Sequence, residues 1–227
     1  MTPKQREINR IIERLSQAIA QHKLPPGMRL VEAQLVEALD ANRNHVQAAL
    51  QRLSMLHIVT IEANRGASVA KPTAQEARDV FAARRAVERG IVEAITQEKL
   101  ERNRDRIDAH MAREKQATDG EDRRDIVRSL SDFHLLLAEI SENTVLREIL
   151  QNLMTRSSLI VSLYQRNDQP PCQHDEHGQI IAALAKGDRS RAHELMIEHL
   201  NHLESELDLS SYQASPDSLQ TLLTTAE

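Results

Sequence analysis

Cysteine occurs once in the 227 residues, at Cys172, and tryptophan is absent. One cysteine excludes an internal disulfide framework, a cysteine-rich zinc knuckle and a metal cluster held by four thiolates. Aromatic residues make up only 2% of the chain, so the aromatic side chains that favour strands are scarce. Six glycines and seven prolines are too few for a collagen-like or linker-type chain. No apolar run approaches the roughly 18 residues of a membrane span. The opening MTPKQREINR is polar, and the expectation is a cytoplasmic protein in a reducing compartment, with no membrane partner. What remains is an ordinary soluble composition, 40% hydrophobic and 28% charged, rich in the helix formers Ala, Leu, Glu, Arg and Gln. The length allows one large domain or two small ones.

The net charge of −5 is unevenly spread. Residues 1–72 carry ten Lys/Arg against six Asp/Glu, a net of +4, which leaves −9 on the remainder. A basic small half and an acidic large half suggest two domains with different partners, the first of them nucleic acid.

Apolar spacing gives the order of elements. Ile8, Ile11, Ile12, Leu15, Ala18 and Ile19 share one face of a first helix, which must stop before Pro25-Pro26-Gly27. Val31, Leu35, Val36 and Leu39 predict two short helical turns. A further helix runs from about Arg43, with Val46, Ala49, Leu50 and Leu53 on its apolar side and Asn42 as its N-cap. The β-branched run 58–61 and the stretch 67–70, joined by a turn from Glu62 to Gly66, predict a hairpin. Helix, helix, tight turn, helix, hairpin is the winged helix-turn-helix plan, and Lys71-Pro72-Thr73 reads as a linker. Beyond it the chain reads as helix near 74–97, 99–118, 121–141, 144–166, 173–186 and 188–208. The expected fold is therefore mainly α, with three parts. A winged helix-turn-helix DNA-binding domain covers 1–72, an all-helical bundle 73–209, and a mobile Ser/Thr-rich tail 210–227.

A helix-turn-helix aims the start of its second helix into the major groove, so polar hydrogen-bonding residues are needed there. Asn42, Arg43, Asn44, His45 and Gln47 supply them, with Gln34 on the preceding helix. Arginine suits guanine, and Asn and Gln suit adenine. Arg65 beside Gly66 sits at the wing tip, placed for a phosphate or the minor groove. The alternative is that these are solvated cap residues.

The segment LPPGMRLVEAQLVEALDANRNHVQAALQRL resembles the GntR family of bacterial transcription regulators. Pro26-Gly27, Leu30, Glu32, Leu35 and Leu39 fall on matching positions, as do Arg43, Val46, Ala49-Leu50, Leu53 and Arg65-Gly66. Asp40 stands where that family usually has glycine, Asn42 where it has Ser, and His45 where it has Pro. Gln47 replaces a DNA-contacting arginine, and His57 another glycine. One recognition helix reads only a few base pairs, so a homodimer on a pseudo-palindromic double-stranded operator is expected.

Three histidines of the acidic half lie on apolar stripes. His134 lies among Val127, Leu130 and Leu137, His177 opens Ile180, Ile181 and Leu184, and His199 sits among Met196, Leu200 and Leu203. Three imidazoles aimed into one bundle suit a divalent metal such as Zn or Ni, or an anion without metal. Arg84 and Arg156 also lie on apolar stripes. A buried guanidinium must be paired, either by a structural partner such as Glu88 or by an effector carboxylate. Residues 75–208 resemble the FCD ligand-binding domain of the FadR-like branch of the GntR family. Arg84-x-x-Val87-Glu88, Phe133-His134, Asn143-x-x-Leu146, Glu176-His177 and Met196-x-x-His199-Leu200 carry the likeness. In those relatives an aspartate four residues before the first histidine completes a metal site. Here that position is Leu130; Asp132 lies off the face, and His174, Asp175 and Glu176 are candidate substitutes.

The competing readings are a helical metal-dependent enzyme and an adaptor with a vestigial winged helix. His193-Glu194 and Glu198-His199 miss both zincin spacings, and neither a P-loop nor G-x-S-x-G occurs. The expectation is a regulator, not an enzyme, whose DNA affinity is set by a small molecule.

Overall fold

The computed structural model describes residues 2–20, 23–120, 123–164 and 174–209. Cys172 and the tail 210–227, expected to be mobile, lie outside the described residues.

The amino-terminal part is built on α1 (Pro3–Ala20), which buries Ile8, Ile11, Leu15 and Ile19. It is followed by β1 (Arg29–Leu30), α2 (Glu32–Leu39), α3 (Arg43–Met55), β2 (Val59–Glu62) and β3 (Gly66–Val69). Both antiparallel pairings share β3, giving the order β1-β3-β2. The two-residue β1, too short for any periodic signal, escapes sequence reading. Asp40 ends α2 and His57 follows α3, both left-handed at φ 46° and 58°. These are the two positions where the resembling family carries glycine, so the chain keeps both tight turns with costlier residues. Gly66 takes φ 79° at the wing, where a side chain would be strained.

The bundle comprises α4 (Ala74–Ala94), α5 (Gln97–Arg102), α6 (Arg104–Thr118), α7 (Arg123–Ile140), α8 (Thr144–Tyr164), α9 (His174–Ala185) and α10 (Arg189–Ser205). Thr73 and Glu76 form a reciprocal capping box on α4. The single helix expected over 99–118 is two. Thr96 caps α5 by accepting from Lys99 N, and Asn103 breaks the run at φ −108°, ψ 12°.

Helix α8 belongs to two cores. Leu150, Leu153 and Ile160 pack into the bundle, while Leu159 joins Ile8, Ile11 and Leu15 in the core of the winged helix. Three hydrogen bonds run along the same helix. Asn152 donates to the Leu56 carbonyl (3.1 Å), Ser158 to that of Ala20 (2.8 Å) and Tyr164 to that of Pro72 (2.9 Å). No helix among the described residues is long and apolar enough to cross a membrane.

Candidate functional site

At the start of α3, Asn42 Oδ1 accepts from Asn44 N at 2.8 Å, so Asn42 is the helix cap. Arg43, its side chain 74% exposed, and Gln47 both reach one carboxylate oxygen of Glu32, at 3.2 and 2.8 Å. Asn44 and Gln34 are exposed. His45 is turned inward instead: it is half-buried, and its Nδ1 is buried without a hydrogen-bond partner among the described residues. Arg65 is exposed on the turn between β2 and β3, its Nη1 3.2 Å from Glu62 Oε2, with Gly66 exposed beside it.

In the bundle, α7, α9 and α10 bring His134, His177 and His199 together, all buried. His199 Nε2 lies 3.2 Å from His177 Nε2 and 3.3 Å from His134 Nε2. Each opposite ring nitrogen meets a carboxylate. His134 Nδ1 lies 2.5 Å from Glu88, His177 Nδ1 2.9 Å from Glu114 and His199 Nδ1 2.7 Å from Glu176. The Phe133 ring stacks on His177 with centroids 3.8 Å apart and fixes its plane.

Burial pushes the three imidazoles down to about 4, outweighing the upward pull of their carboxylates, so all three are neutral near pH 7. Burial also raises the Glu88 carboxyl, but the Arg84 charge beside it and the hydrogen bonds from His134 and Arg84 win and hold it down to about 2. A carboxylate only accepts, so each ring donates from Nδ1 and keeps Nε2 as an acceptor. Three lone pairs then converge with no proton between them. That donor set fits a divalent cation, and carboxylate partners behind metal-ligating histidines orient such rings. The three residues could hold a metal.

Beside them lies a cavity of about 60 Å³. Phe81, Leu130, Met154, Val161, Leu203 and Leu207 give it apolar walls, and Arg84, Ser157, Ser158 and Glu206 line it with the three histidines. Arg84, 3% exposed, binds Glu88 through Nε (2.8 Å) and Ser157 through Nη1 (3.0 Å), while its buried Nη2 has no partner among the described residues. Glu88 is thus the structural partner of Arg84, and the Nη2 group is left over from that pairing.

Arg156 does not line this cavity. It is half-buried on the side of α8 facing Glu76. The Glu76 carboxyl is held below its usual range by Thr73, with a smaller pull from Arg156. An apolar stripe could not separate the two faces of a helix shared by two cores. Leu130 forms cavity wall and Asp132 is exposed, as expected off the face. Of the candidate substitute ligands, the His174 side chain lies outside the described residues and Asp175 is exposed. Glu176 instead holds His199 and His202, at 2.7 and 2.8 Å. Nothing in the sequence singled out Glu114 or Glu206, although His110 and Glu114 stand one helical turn apart, a pairing spacing.

Residues 7–69 match the bacterial regulatory proteins of the gntR family, and residues 79–202 match the FCD domain. The chain is 24% identical over 179 residues to the uncharacterized HTH-type transcriptional regulator YdhC of Bacillus subtilis (strain 168), covering 78% of this chain and 80% of that one. It is 23% identical over 210 residues to the HTH-type transcriptional regulator LutR of the same organism, covering 82% and 94%. Among solved structures, a GntR transcriptional regulator from Rhodococcus sp. RHA1 matches with a TM-score of 0.74 at 26% identity, over 87% of this chain and 95% of that one. E. coli McbR/YncC shares the fold, with a TM-score of 0.73 at 19% identity, over 89% and 95%. The chain belongs to the gntR family of bacterial regulatory proteins and is a DNA-binding transcription regulator, not an enzyme, with an FCD domain as its ligand-binding half.

Proposed function

We propose that this regulator acts in the cytoplasm as a homodimer on a pseudo-palindromic operator, and that a small carboxylate in the bundle cavity sets its DNA affinity. Arg43 and Gln47 read base edges, with Asn44 and Gln34 beside them; Arg65 and Gly66 meet the backbone or minor groove. Asn42 serves chiefly as the cap, and the inward turn of His45 gives it a minor part. One recognition helix reads few base pairs, so specificity calls for two related by a two-fold axis. The reading-head domain spans 1–72 and the effector domain 73–209.

His134, His177 and His199 would hold a divalent metal such as Zn or Ni, which when bound supplies positive charge for an effector carboxylate. Glu88, Glu114 and Glu176 hold the Nδ1 protons and so aim the rings. Arg84 offers its free Nη2 to the same anion, and the apolar walls exclude water.

One observation carries the coupling. Consecutive residues of α8 serve both domains: Ser157 accepts from Arg84 in the cavity wall, Ser158 lines the cavity yet donates to Ala20, and Leu159 sits in the winged-helix core. A ligand that changes this turn changes the seat of the reading head, beyond the linker at Lys71-Pro72. Selection of bound duplexes from a random DNA pool, with the mass of the complex, tests the proposal. A two-fold repeated motif carrying two chains is expected; a single motif carrying one chain would refute it.

A further inference from the structure

Glu206 follows the last turn of α10, its side chain 11% exposed. Its Oε1 lies 3.4 Å from His202 Nε2, whereas its Oε2 is buried with no hydrogen-bond partner among the described residues. Glu206 lines the same cavity as Arg84, whose Nη2 is likewise buried and unpartnered. Besides the three imidazole nitrogens, the described lining therefore carries an idle donor in Arg84 and an idle acceptor in Glu206. Buried polar atoms are normally satisfied, and each idle one marks a group awaited from elsewhere. The anion reading employs Arg84 and the histidines but leaves Glu206 without a task.

We infer that Glu206 determines effector specificity, and that the effector is a small carboxylic acid bearing a hydroxyl or amine that donates to Glu206 Oε2. The inference rests on the anion reading above. A second carboxylate on the effector would set two anionic groups against each other. A plain alkyl chain would leave Oε2 unpaired, and a site built to accept a hydrogen bond discriminates strongly against an analogue that lacks the donor. The cavity is small, about 60 Å³, which limits the acid to a few carbons.

Calorimetric titration of the full-length chain, supplied with zinc, decides the matter with a set of four-carbon probes. These are butyrate, the three hydroxybutyrates, the three aminobutyrates and succinate. At least one hydroxy or amino acid is expected to bind about tenfold or more tighter than butyrate and succinate, and the better class names the donor. In Glu206→Leu the preference over butyrate should fall to about one, while Glu206→Gln, whose amide oxygen still accepts, should keep part of it. Butyrate or succinate binding as tightly as every donor-bearing acid would overturn the inference. So would a preference that survives Glu206→Leu. If no acid binds, butyrate included, the anion reading itself fails and the role of Glu206 falls with it.

Discussion

His134 and His199 point Nε2 at Nε2 across 3.3 Å, and neither ring has a proton to place between them. Each has committed its Nδ1 proton to a carboxylate, to Glu88 and Glu176 respectively. With His177 the arrangement becomes a three-nitrogen cluster held from behind. Facing lone pairs are unfavourable alone and favourable around a cation, so metal binding should add to folding stability.

Acid should destabilise the metal-free chain through these rings. Each is held at about 4 in the fold, against the 6.5 of an ordinary imidazole. Between those values the unfolded chain binds more protons, so the contribution is complete above 6.5 and is lost as pH falls toward 4. Glu88, held down to about 2, adds a further loss of the same sign as pH drops below 4.5. Urea midpoints of chelator-treated protein should therefore fall steeply from about pH 7 to about pH 5. Any single His→Gln change in the cluster should flatten that slope; equal slopes would show that the rings do not titrate as described.

Arg43→Ala should cost specific DNA binding roughly 1–3 kcal/mol and relax preference at one base per half-site. Arg65→Ala should weaken all sequences alike and lower the salt slope by about one. Glu32 competes for Arg43 and Gln47 in the free protein, so Glu32→Gln should tighten DNA binding. Titrations on an operator duplex and on base-substituted duplexes at several salt concentrations separate these effects, and an unchanged affinity for Arg43→Ala would remove it from the reading face.

Leu130 stands one turn before His134 in the cavity wall. Leu130→Asp should add an anionic ligand and slow the loss of metal to a chelator, by about tenfold or more. Faster loss would place this position away from the nitrogens.

Ser158→Ala removes the bond to Ala20 and should cost about 0.5–1.5 kcal/mol of stability. Its diagnostic effect concerns coupling: DNA affinity should respond less to the acids that bind the cavity. An undiminished response would mean that the signal passes elsewhere, for example through Tyr164 and Pro72.

The three histidines were legible because each interrupts an apolar stripe, and a polar residue on a buried face needs a reason. The winged helix was legible from turn residues and short periodic segments. The carboxylates behind the rings were not: Glu114 lies on α6, a weakly amphipathic helix whose sequence reads as solvated. Arg156 misled because α8 is apolar on two sides, one for each core. Asn103 gave no warning of the break between α5 and α6, since a single Asn is tolerated within many helices. Glu206 carries no local signal, and its place in the cavity follows from tertiary packing alone.

Elemental analysis of the purified chain, after incubation with zinc or nickel and exhaustive dialysis near neutral pH, bears on all of this at once. Close to one metal equivalent per chain is expected, falling to near zero in the doubly substituted His177→Ala, His199→Ala protein. A wild-type chain that retains no metal, or a doubly substituted one that retains as much, would contradict the three-nitrogen site and the anion reading built upon it.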